Sequence, residues 1–348
     1  MGAAVEFRAS ILRLRAYPRM PDTKELALYR TMCRIRAFED AAEEASRGSV
    51  AAFGAALAQS PVRGPLHLST GQEAVPAGVC AHLAATDMIT STHRGHGHTI
   101  AKGASLARMM AELFGKATGF NHGKGGSMHI ADFSVGMLGA NGVVAAGIPI
   151  AVGAAHAAKI RGEARIVACF FGDGAINRGP FMEGLNWAKV HSLPILFVCE
   201  DNRWSATTAT DAMTAGEGAL ARAQSLDIEG VQVDGNDVYA VENAAGERVA
   251  KIRAGQGPQL LHAITYRVKG HVSVDPAAYR DRREVEKALE SDPLKIAEAR
   301  IPAADAARIR ADAKAEVQRA VEAAAAAPMP EVALAYTDIQ ETGAGVWR

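Results

Sequence analysis

The sequence has no net charge, because its 38 lysines and arginines balance its 38 aspartates and glutamates. This balance excludes a global electrostatic attraction to nucleic acid or to an anionic membrane, so we predict neither as a partner. Any polyanion that the protein binds must be held by a local group of basic side chains. A chain without net charge also tends to associate, which favours a protein that buries part of its surface against another subunit.

Long apolar segments and paired cysteines are also absent. The longest apolar stretch, residues 143–158, is rich in Ala and Gly and is shorter than the ~20 residues that a membrane-spanning helix needs. The four cysteines are scattered without a CxxC pair, which is typical of reduced thiols. The first residues contain no apolar segment that ends in a small-residue cleavage site. The sequence therefore predicts a cytoplasmic protein.

What is present is a large apolar fraction, 49% of 348 residues, which is enough for one large or two smaller folded units. Helical spacing predicts a helix over residues 22–48, and a loop rich in Ala, Gly and Ser follows over residues 54–65. Residues 303–327 read as an Ala-rich surface helix, and the last twenty as an arm. We therefore divide the chain into a helical arm and loop (1–60), an α/β domain (61–285) and a helical tail and arm (286–348).

Within the central part, short apolar runs alternate with helical segments. The predicted strands cover residues 88–90, 165–171, 194–199, 230–233 and 259–266, and the predicted helices cover 106–114, 180–190 and 238–254. Alternation at this spacing predicts an α/β fold, with a mostly parallel sheet and helices on both faces. In such folds ligands bind at the carboxyl ends of the strands.

Two of these strands end in oxygen-bearing side chains. Asp173 lies between Gly172 and Gly174 at the end of one strand, and Asn202 follows the next one, 29 residues later. This separation matches one βαβ unit, so both side chains should reach the same sheet edge. A carboxylate and an amide oxygen are ligands that suit Mg²⁺. Either motif alone is ordinary turn chemistry, but the pair at this spacing predicts a metal site.

Two other phosphate-binding patterns are not matched. After Gly172 and Gly174 the next glycine is Gly179, so the GxGxxG dinucleotide pattern is absent. The stretch from Gly119 to Lys124 is one residue too short for a Walker loop and lacks the Ser or Thr after the lysine.

Five sequence blocks resemble the alpha subunit of the two-chain thiamine pyrophosphate-dependent dehydrogenases, which act on pyruvate, branched-chain 2-oxo acids or acetoin. The similarity runs from about residue 25 to about residue 290. The blocks, in order, are HLSTGQEA (67–74), THRGHGH (92–98), GKGGSMH (123–129), NGVV (141–144) and GDG (172–174) followed by DN (201–202). The resemblance implies the thiamin diphosphate-binding fold with helical N- and C-terminal extensions.

The resemblance also implies a ligand set. Mg²⁺ would be held by Asp173, Asn202 and the backbone carbonyl of Trp204, where relatives usually have tyrosine. Asp201 departs from the usual Asn-Asn pair. The cofactor, thiamine pyrophosphate, would contact a set of residues that includes the ends of both strands: His93, Arg94, Gly142, Val144, Gly172, Asp173, Gly174, Ala175, Asn202 and His271.

The second prediction concerns the roles of the histidines. By the resemblance, His67 and His271 are catalytic and lie near the substrate, whereas His93 and Arg94 lie near the diphosphate. An alternative is a zinc site made by His93, His96 and His98, but this run offers no obvious fourth ligand. The glycines at 95 and 97 favour a loop over an anion instead.

The resemblance implies that this chain is one of the two kinds of subunit that form the enzyme. The glutamate that activates the pyrimidine ring belongs to the beta subunit in this family, so we expect an α2β2 heterotetramer whose alpha chain alone is inactive. The other expected partners are a small carbonyl substrate and the lipoyl domain of a dihydrolipoyl acyltransferase, which receives the acyl group.

The substrate is left open between acetoin and pyruvate. The THRGHGH block and residues 137–142 look closest to the acetoin branch, and branched-chain 2-oxo acids rank third. Val272 stands where mitochondrial relatives have a regulatory serine, and Lys269 is not typical of either branch. Two further alternatives are a scaffold subunit that kept the fold without the chemistry and a carbon transfer without lipoamide.

Overall fold

The computed structural model describes residues 23–47, 60–62 and 64–337. The strands are β1 (Met88–Thr90), β2 (Val167–Gly172), β3 (Ile195–Asp201), β4 (Trp204–Ser205), β5 (Thr208–Ala209), β6 (Glu229–Asp234) and β7 (Gln259–Ile264). The helices are α1 (Lys24–Ser46), α2 (Ala74–Cys80), α3 (His96–Ala101), α4 (Leu106–Leu113), α5 (Gly147–Ile160), α6 (Gly179–Val190), α7 (Ala219–Gln224), α8 (Val238–Arg253), α9 (Arg282–Glu290), α10 (Pro293–Glu298) and α11 (Ala303–Ala326). None of these helices is long and apolar enough to cross a membrane.

Five strands form one parallel sheet in the order β1-β2-β3-β7-β6. The α/β prediction is confirmed, and each of the five predicted strands lies within two residues of its observed bounds. The sequence analysis did not find the two-residue strands β4 and β5, which pair antiparallel just after β3. Strands this short contain too few residues for any periodicity to be visible.

Helices cover both faces of the sheet, because alternate residues of each central strand point to opposite sides. In β2, Cys169 and Phe171 pack with α5 and α6, whereas Phe170 packs on the other side with α1, α4 and α8. In β3, Phe197 and Val198 divide in the same way. All of these side chains are buried, so the central strands read as continuous apolar runs.

The helical extensions pack against the α/β core. Thr23 caps α1 by accepting a hydrogen bond from the backbone N–H of Leu26 (3.4 Å), and Phe38 of the same helix lies in the core. The predicted surface helix, now α11, has one buried face that includes Ile309 and Val317 and packs on α1 and α4. Residues 1–22, most of the predicted loop and residues 338–348 lie outside the described residues. The three-way division of the chain stays a prediction.

A buried carboxylate holds the glycine-rich segment that follows α4. Glu112 is 1% exposed, and its two oxygens accept hydrogen bonds from the backbone N–H groups of Asn121, Gly123, Gly125 and Gly126 at 2.7–3.1 Å. A backbone that turns this tightly cannot pair its N–H groups within a helix or sheet, so the side chain satisfies them instead.

We expect Glu112→Gln to destabilise the fold by on the order of 3 kcal/mol, because the amide turns an NH₂ group toward two N–H donors that then lose their acceptor. Urea unfolding of the variant and the parent measures this loss. Glu286→Gln, at an exposed position of α9, is the matched control and should change the free energy of unfolding little. Equal stability of the two variants would contradict this role.

Candidate active site

The carboxyl ends of β2, β3 and β7 lie at one edge of the sheet, because the three strands are parallel and in register. Gly172 pairs with Glu200, and Asp201 pairs with Ile264. Asp173, which follows β2, and Asn202, which follows β3, therefore emerge at the same edge, as the sequence predicts. Gly174 follows Asp173, and a Cβ there would meet the Ser205 hydroxyl, which would have to move.

The predicted metal ligands are held by hydrogen bonds around this edge. Asn202 Nδ2 donates to Gln72 Oε1 (3.0 Å). The Trp204 backbone N–H donates to the other end of the same amide, Asn202 Oδ1 (3.1 Å). Thr210 donates its hydroxyl proton to Asp173. The Trp204 indole donates to Glu284 (3.0 Å).

Asp173 is a buried acid without a cationic partner in the described residues. It is 3% exposed, and burial raises the pKa of its carboxyl group, as does the nearby charge of Asp201, while the Thr210 hydrogen bond lowers it. A bound cation would compensate the buried carboxylate directly. The donor set therefore fits a hard divalent ion.

The departure at Asp201 has a structural explanation. Its carboxylate contacts His262 Nε2 (3.1 Å), accepts from the Arg203 backbone N–H (3.1 Å) and lies 3.8 Å from the Arg203 guanidinium. Burial opposes ionisation, but the hydrogen bond with His262 and the charge of Arg203 lower the pKa of Asp201 overall. The added carboxylate thus has partners of its own, while its charge still raises the pKa of Asp173.

An open cleft lies over this edge of the sheet. Most predicted site residues line it: His93, Arg94, Val144, Gly172, Asp173, Gly174, Ala175, Asn202, Trp204 and His271. Gly142 and His67 are not among the lining residues. Gly142 stands between Asn141 and Val143, which do line the cleft, and the His67 ring contacts those of His93 and His271. Ala145 and Ala206, which also line the cleft, have left-handed backbones (φ 72° and 50°), a strain that concentrates at functional sites.

Two buried arginines make the opposite wall positive. Arg94 is 4% exposed and donates to the backbone oxygens of Leu68 (2.8 Å) and His271 (2.9 Å). Burial, reinforced by the charge of Arg267, lowers the pKa of Arg94 to about 9. Arg267 is 0% exposed, and burial and the charge of Arg280 lower its pKa as well. Neither guanidinium pairs with a carboxylate in the described chain, so both suit an anionic ligand.

Three histidines meet beside the arginines. The rings of His67, His93 and His271 make edge contacts with centroid distances of 4.7–5.6 Å. Burial, followed by the charge of Arg94, lowers the pKa of His67 to about 3, of His93 to about 2 and of His271 to about 4. All three imidazoles are therefore neutral at pH 7, and each can donate one hydrogen bond and accept another.

Comparison with known proteins matches residues 44–333 to the dehydrogenase E1 component family. The chain is 47% identical over 276 residues to the alpha subunit of acetoin:2,6-dichlorophenolindophenol oxidoreductase of Bacillus subtilis, covering 79% of this chain and 80% of the relative. It is 42% identical to the Cupriavidus necator protein of the same name, covering 92% and 96%. It is 39% identical to the alpha subunit of the pyruvate dehydrogenase E1 component of Porphyra purpurea, covering 89% and 90%.

The chain belongs to the dehydrogenase E1 component family. The resemblance read from the five sequence blocks is thereby confirmed, including its proximity to the acetoin branch. Members of this family are oxidoreductases that depend on thiamine pyrophosphate, and the relatives are named as alpha subunits, which implies a beta subunit as partner.

His93, His96 and His98, the alternative zinc site, do not come together in the E1 chain. His96 lies between Glu39 (2.8 Å) and Ser127 (2.9 Å), and His98 contacts Ser91 (2.7 Å). The glycines do not form an open loop, because residues 96–101 are helix α3. Among the described residues, the histidines whose ring nitrogens converge are His67, His93 and His271.

Two E1 site residues were missed, Gln72 and Arg267. Both line the cleft, and each has a buried nitrogen, Nε2 and Nε respectively, without a hydrogen-bond partner. Gln72 lies within the block 67–74, and Arg267 lies four residues before His271. Neither type of side chain, taken alone, identifies a ligand contact.

We expect acidification to destabilise the E1 chain partly through His67. The unfolded histidine binds a proton near pH 6.5 and the native one only near pH 3, so stability is present above about pH 6.5 and is lost as the pH falls. His67→Gln should lose less free energy of unfolding between pH 7 and pH 5, by up to ~2 kcal/mol. Urea unfolding at both pH values measures this, with His129→Gln, at an exposed histidine, as control. Identical losses in all three proteins would contradict the assignment.

Proposed function

We propose that this chain is the alpha subunit of a thiamine pyrophosphate- and Mg²⁺-dependent dehydrogenase that cleaves acetoin or decarboxylates pyruvate and passes the acyl group to lipoamide. The observation that carries the proposal is a buried carboxylate and a buried guanidinium that line one cleft and form no ion pair among the described residues. The buried carboxylate of Asp173 needs a cation, and the buried guanidinium of Arg94 needs an anion. A magnesium diphosphate supplies both.

The cofactor would be held by groups at both walls. Asp173, Asn202 and the backbone carbonyl of Trp204 would bind Mg²⁺, and Arg94 would bind the diphosphate. Val144 lines the cleft and Gly142 lies two residues before it. The cofactor's ring system would fit here. When bound, thiamine pyrophosphate supplies a carbon nucleophile for a carbonyl group. The orphan Nε2 of Gln72 is a further donor for a diphosphate oxygen.

The histidines would act on the substrate. Because His67 and His271 are neutral at pH 7, they can donate a hydrogen bond to a carbonyl oxygen and take part in proton transfer without first losing a proton. Burial, followed by the positive charges of Arg94 and Arg267, keeps them neutral by disfavouring imidazolium. This electrostatic arrangement also favours an oxyanion at the same position.

A small substrate is favoured by the relatives. Two of the proteins reported above are named for acetoin and one for pyruvate. A branched-chain 2-oxo acid dehydrogenase is the alternative. Scattered, buried and unpaired cysteines support a cytoplasmic location. A dihydrolipoyl acyltransferase would supply the lipoyl domain. Transfer of the acyl group to a lipoyl domain distinguishes the proposal from a carbon transfer without lipoamide.

The beta subunit would bind an apolar face formed by α5, α6 and the segment before α5. Its exposed residues include Val143 (68%), Ile150 (48%), Ile160 (76%), Trp187 (49%) and Val190 (68%). Exposed apolar side chains at this density are typical of a protein interface. Val143 also lines the cleft, so a subunit on this face would close the cleft and complete the site, in an α2β2 assembly.

Calorimetric titration of thiamine pyrophosphate into the αβ complex, with and without Mg²⁺, tests the cofactor assignment. We expect one Mg²⁺-dependent site per αβ pair. Asp173→Asn should abolish the metal-dependent binding, and the ligand-free variant should be more stable than the parent by ~1 kcal/mol or more, because it buries no unpaired charge.

Asp211→Asn is the matched control, because Asp211 is an exposed aspartate in the segment that follows β5. It should leave cofactor binding intact. A parent complex that binds no cofactor would favour the scaffold alternative, in which the fold is kept and the chemistry lost.

Substitution of an exposed apolar residue tests the interface. Ile150→Glu should weaken association with the beta subunit by at least about a hundredfold, because the charge would be desolvated at the contact. Val332→Glu, at a residue that is 84% exposed near the C-terminal end of the described chain, is the control. Analytical ultracentrifugation of mixed subunits measures both, and tight association of Ile150→Glu would exclude this face.

A further inference from the structure

Helix α1 presents a row of charged residues to segments that carry the site. Arg36, Glu39 and Glu43 follow one another at spacings of three and four residues, so they lie on the same face of the helix. Each contacts a different residue outside the helix. The apolar residues of α1, such as Phe38, pack in the core and fix the position of this charged row.

Glu39 contacts the segment that contains His67. It is 0% exposed, and Oε1 accepts from both the backbone N–H (2.9 Å) and the hydroxyl of Ser69 (2.7 Å). Its other oxygen contacts His96, whose second nitrogen contacts Ser127. The hydrogen bonds of this buried group are satisfied, so it holds its segments in one arrangement.

Arg36 contacts the same segment from the next turn of the helix. Its guanidinium pairs with Glu73, whose second oxygen accepts from the Gly71 backbone N–H (3.0 Å). Gln72, the partner of Asn202, lies between these two contacts. The segment from His67 to Glu73 is thus bound to α1 by two buried carboxylates.

Glu43 contacts the loop that carries His271. Lys269 Nζ donates to both of its oxygens (2.8 and 3.1 Å), and the two side chains are 37% and 20% exposed. Arg280 donates to the Lys269 backbone oxygen (2.7 Å). The Lys269 backbone is therefore held from within the loop, and the Lys269 side chain is held by α1.

We propose that α1 is a positioning element for both histidine segments, and that the Glu43–Lys269 ion pair orders the His271 loop before the cofactor binds. Lys269 and Glu43 touch neither the cleft nor its ligands, so they are positioning residues. This inference rests on the proposed function only for its effect on cofactor affinity. The affinity effect is expected because a loop that is already ordered loses less conformational entropy when the cofactor is bound.

The test uses the αβ complex carrying Glu43→Gln, Lys269→Met or the exchanged pair Glu43→Lys with Lys269→Glu. Hydrogen exchange of residues 266–280 is followed without cofactor, and thiamine pyrophosphate with Mg²⁺ is then titrated. We expect each single variant to speed exchange of the loop and to raise the half-saturating cofactor concentration about fivefold, as suits a half-exposed ion pair. The change in kcat should be smaller than this, and the exchanged pair should restore both values.

The matched control breaks another ion pair of the same helix. Arg34 pairs with Glu316 of α11 through two 2.9 Å contacts, and neither residue approaches the histidine segments. Arg34→Met should leave loop exchange and cofactor affinity unchanged. Unchanged exchange in Glu43→Gln, or no recovery in the exchanged pair, would overturn the inference. Faster loop exchange in the single variants of a complex that binds no cofactor would instead overturn the proposed function and leave the positioning role standing.

Discussion

Buried charge at one edge of a parallel sheet is the constraint on which the site depends. The fold buries the carboxylate of Asp173 at the end of β2 and the guanidinium of Arg94 in the same cleft, and neither forms an ion pair among the described residues, although the charges of Glu39 and Glu200 act on Arg94. Such burial is unfavourable in the protein alone. The surrounding apolar core and the hydrogen bonds of the neighbouring loops must supply the stability that keeps these groups in position.

The same electrostatics explains the state of the histidines. His67, His93 and His271 are buried beside two arginines, so burial first and the arginine charges second disfavour their protonated forms, and they remain neutral well below physiological pH. The positive wall therefore attracts an anionic cofactor and adds to burial in tuning the groups that would act on the substrate.

Much of this arrangement could be predicted from the sequence, because it follows from strand order and local motifs. The Gly172–Gly174 turn and the Asp201–Asn202 pair identified the sheet edge, since parallel strands place their ends together. The sequence could not reveal what depends on long-range contacts. The partners of Glu112 and Glu39, the helical conformation of residues 96–101 and the orientation of Gln72 are set by tertiary packing, which leaves no periodic signal.

The position of α1 in the chain has a consequence for how the site assembles during synthesis. The helix is made before every segment that it holds, so the residues from His67 to Glu73 can bind to it as soon as they leave the ribosome. The loop with Lys269 and His271 emerges only after all five strands of the main sheet. Capture of the cofactor is thereby delayed until all five strands of the sheet whose edge carries its ligands have been synthesised.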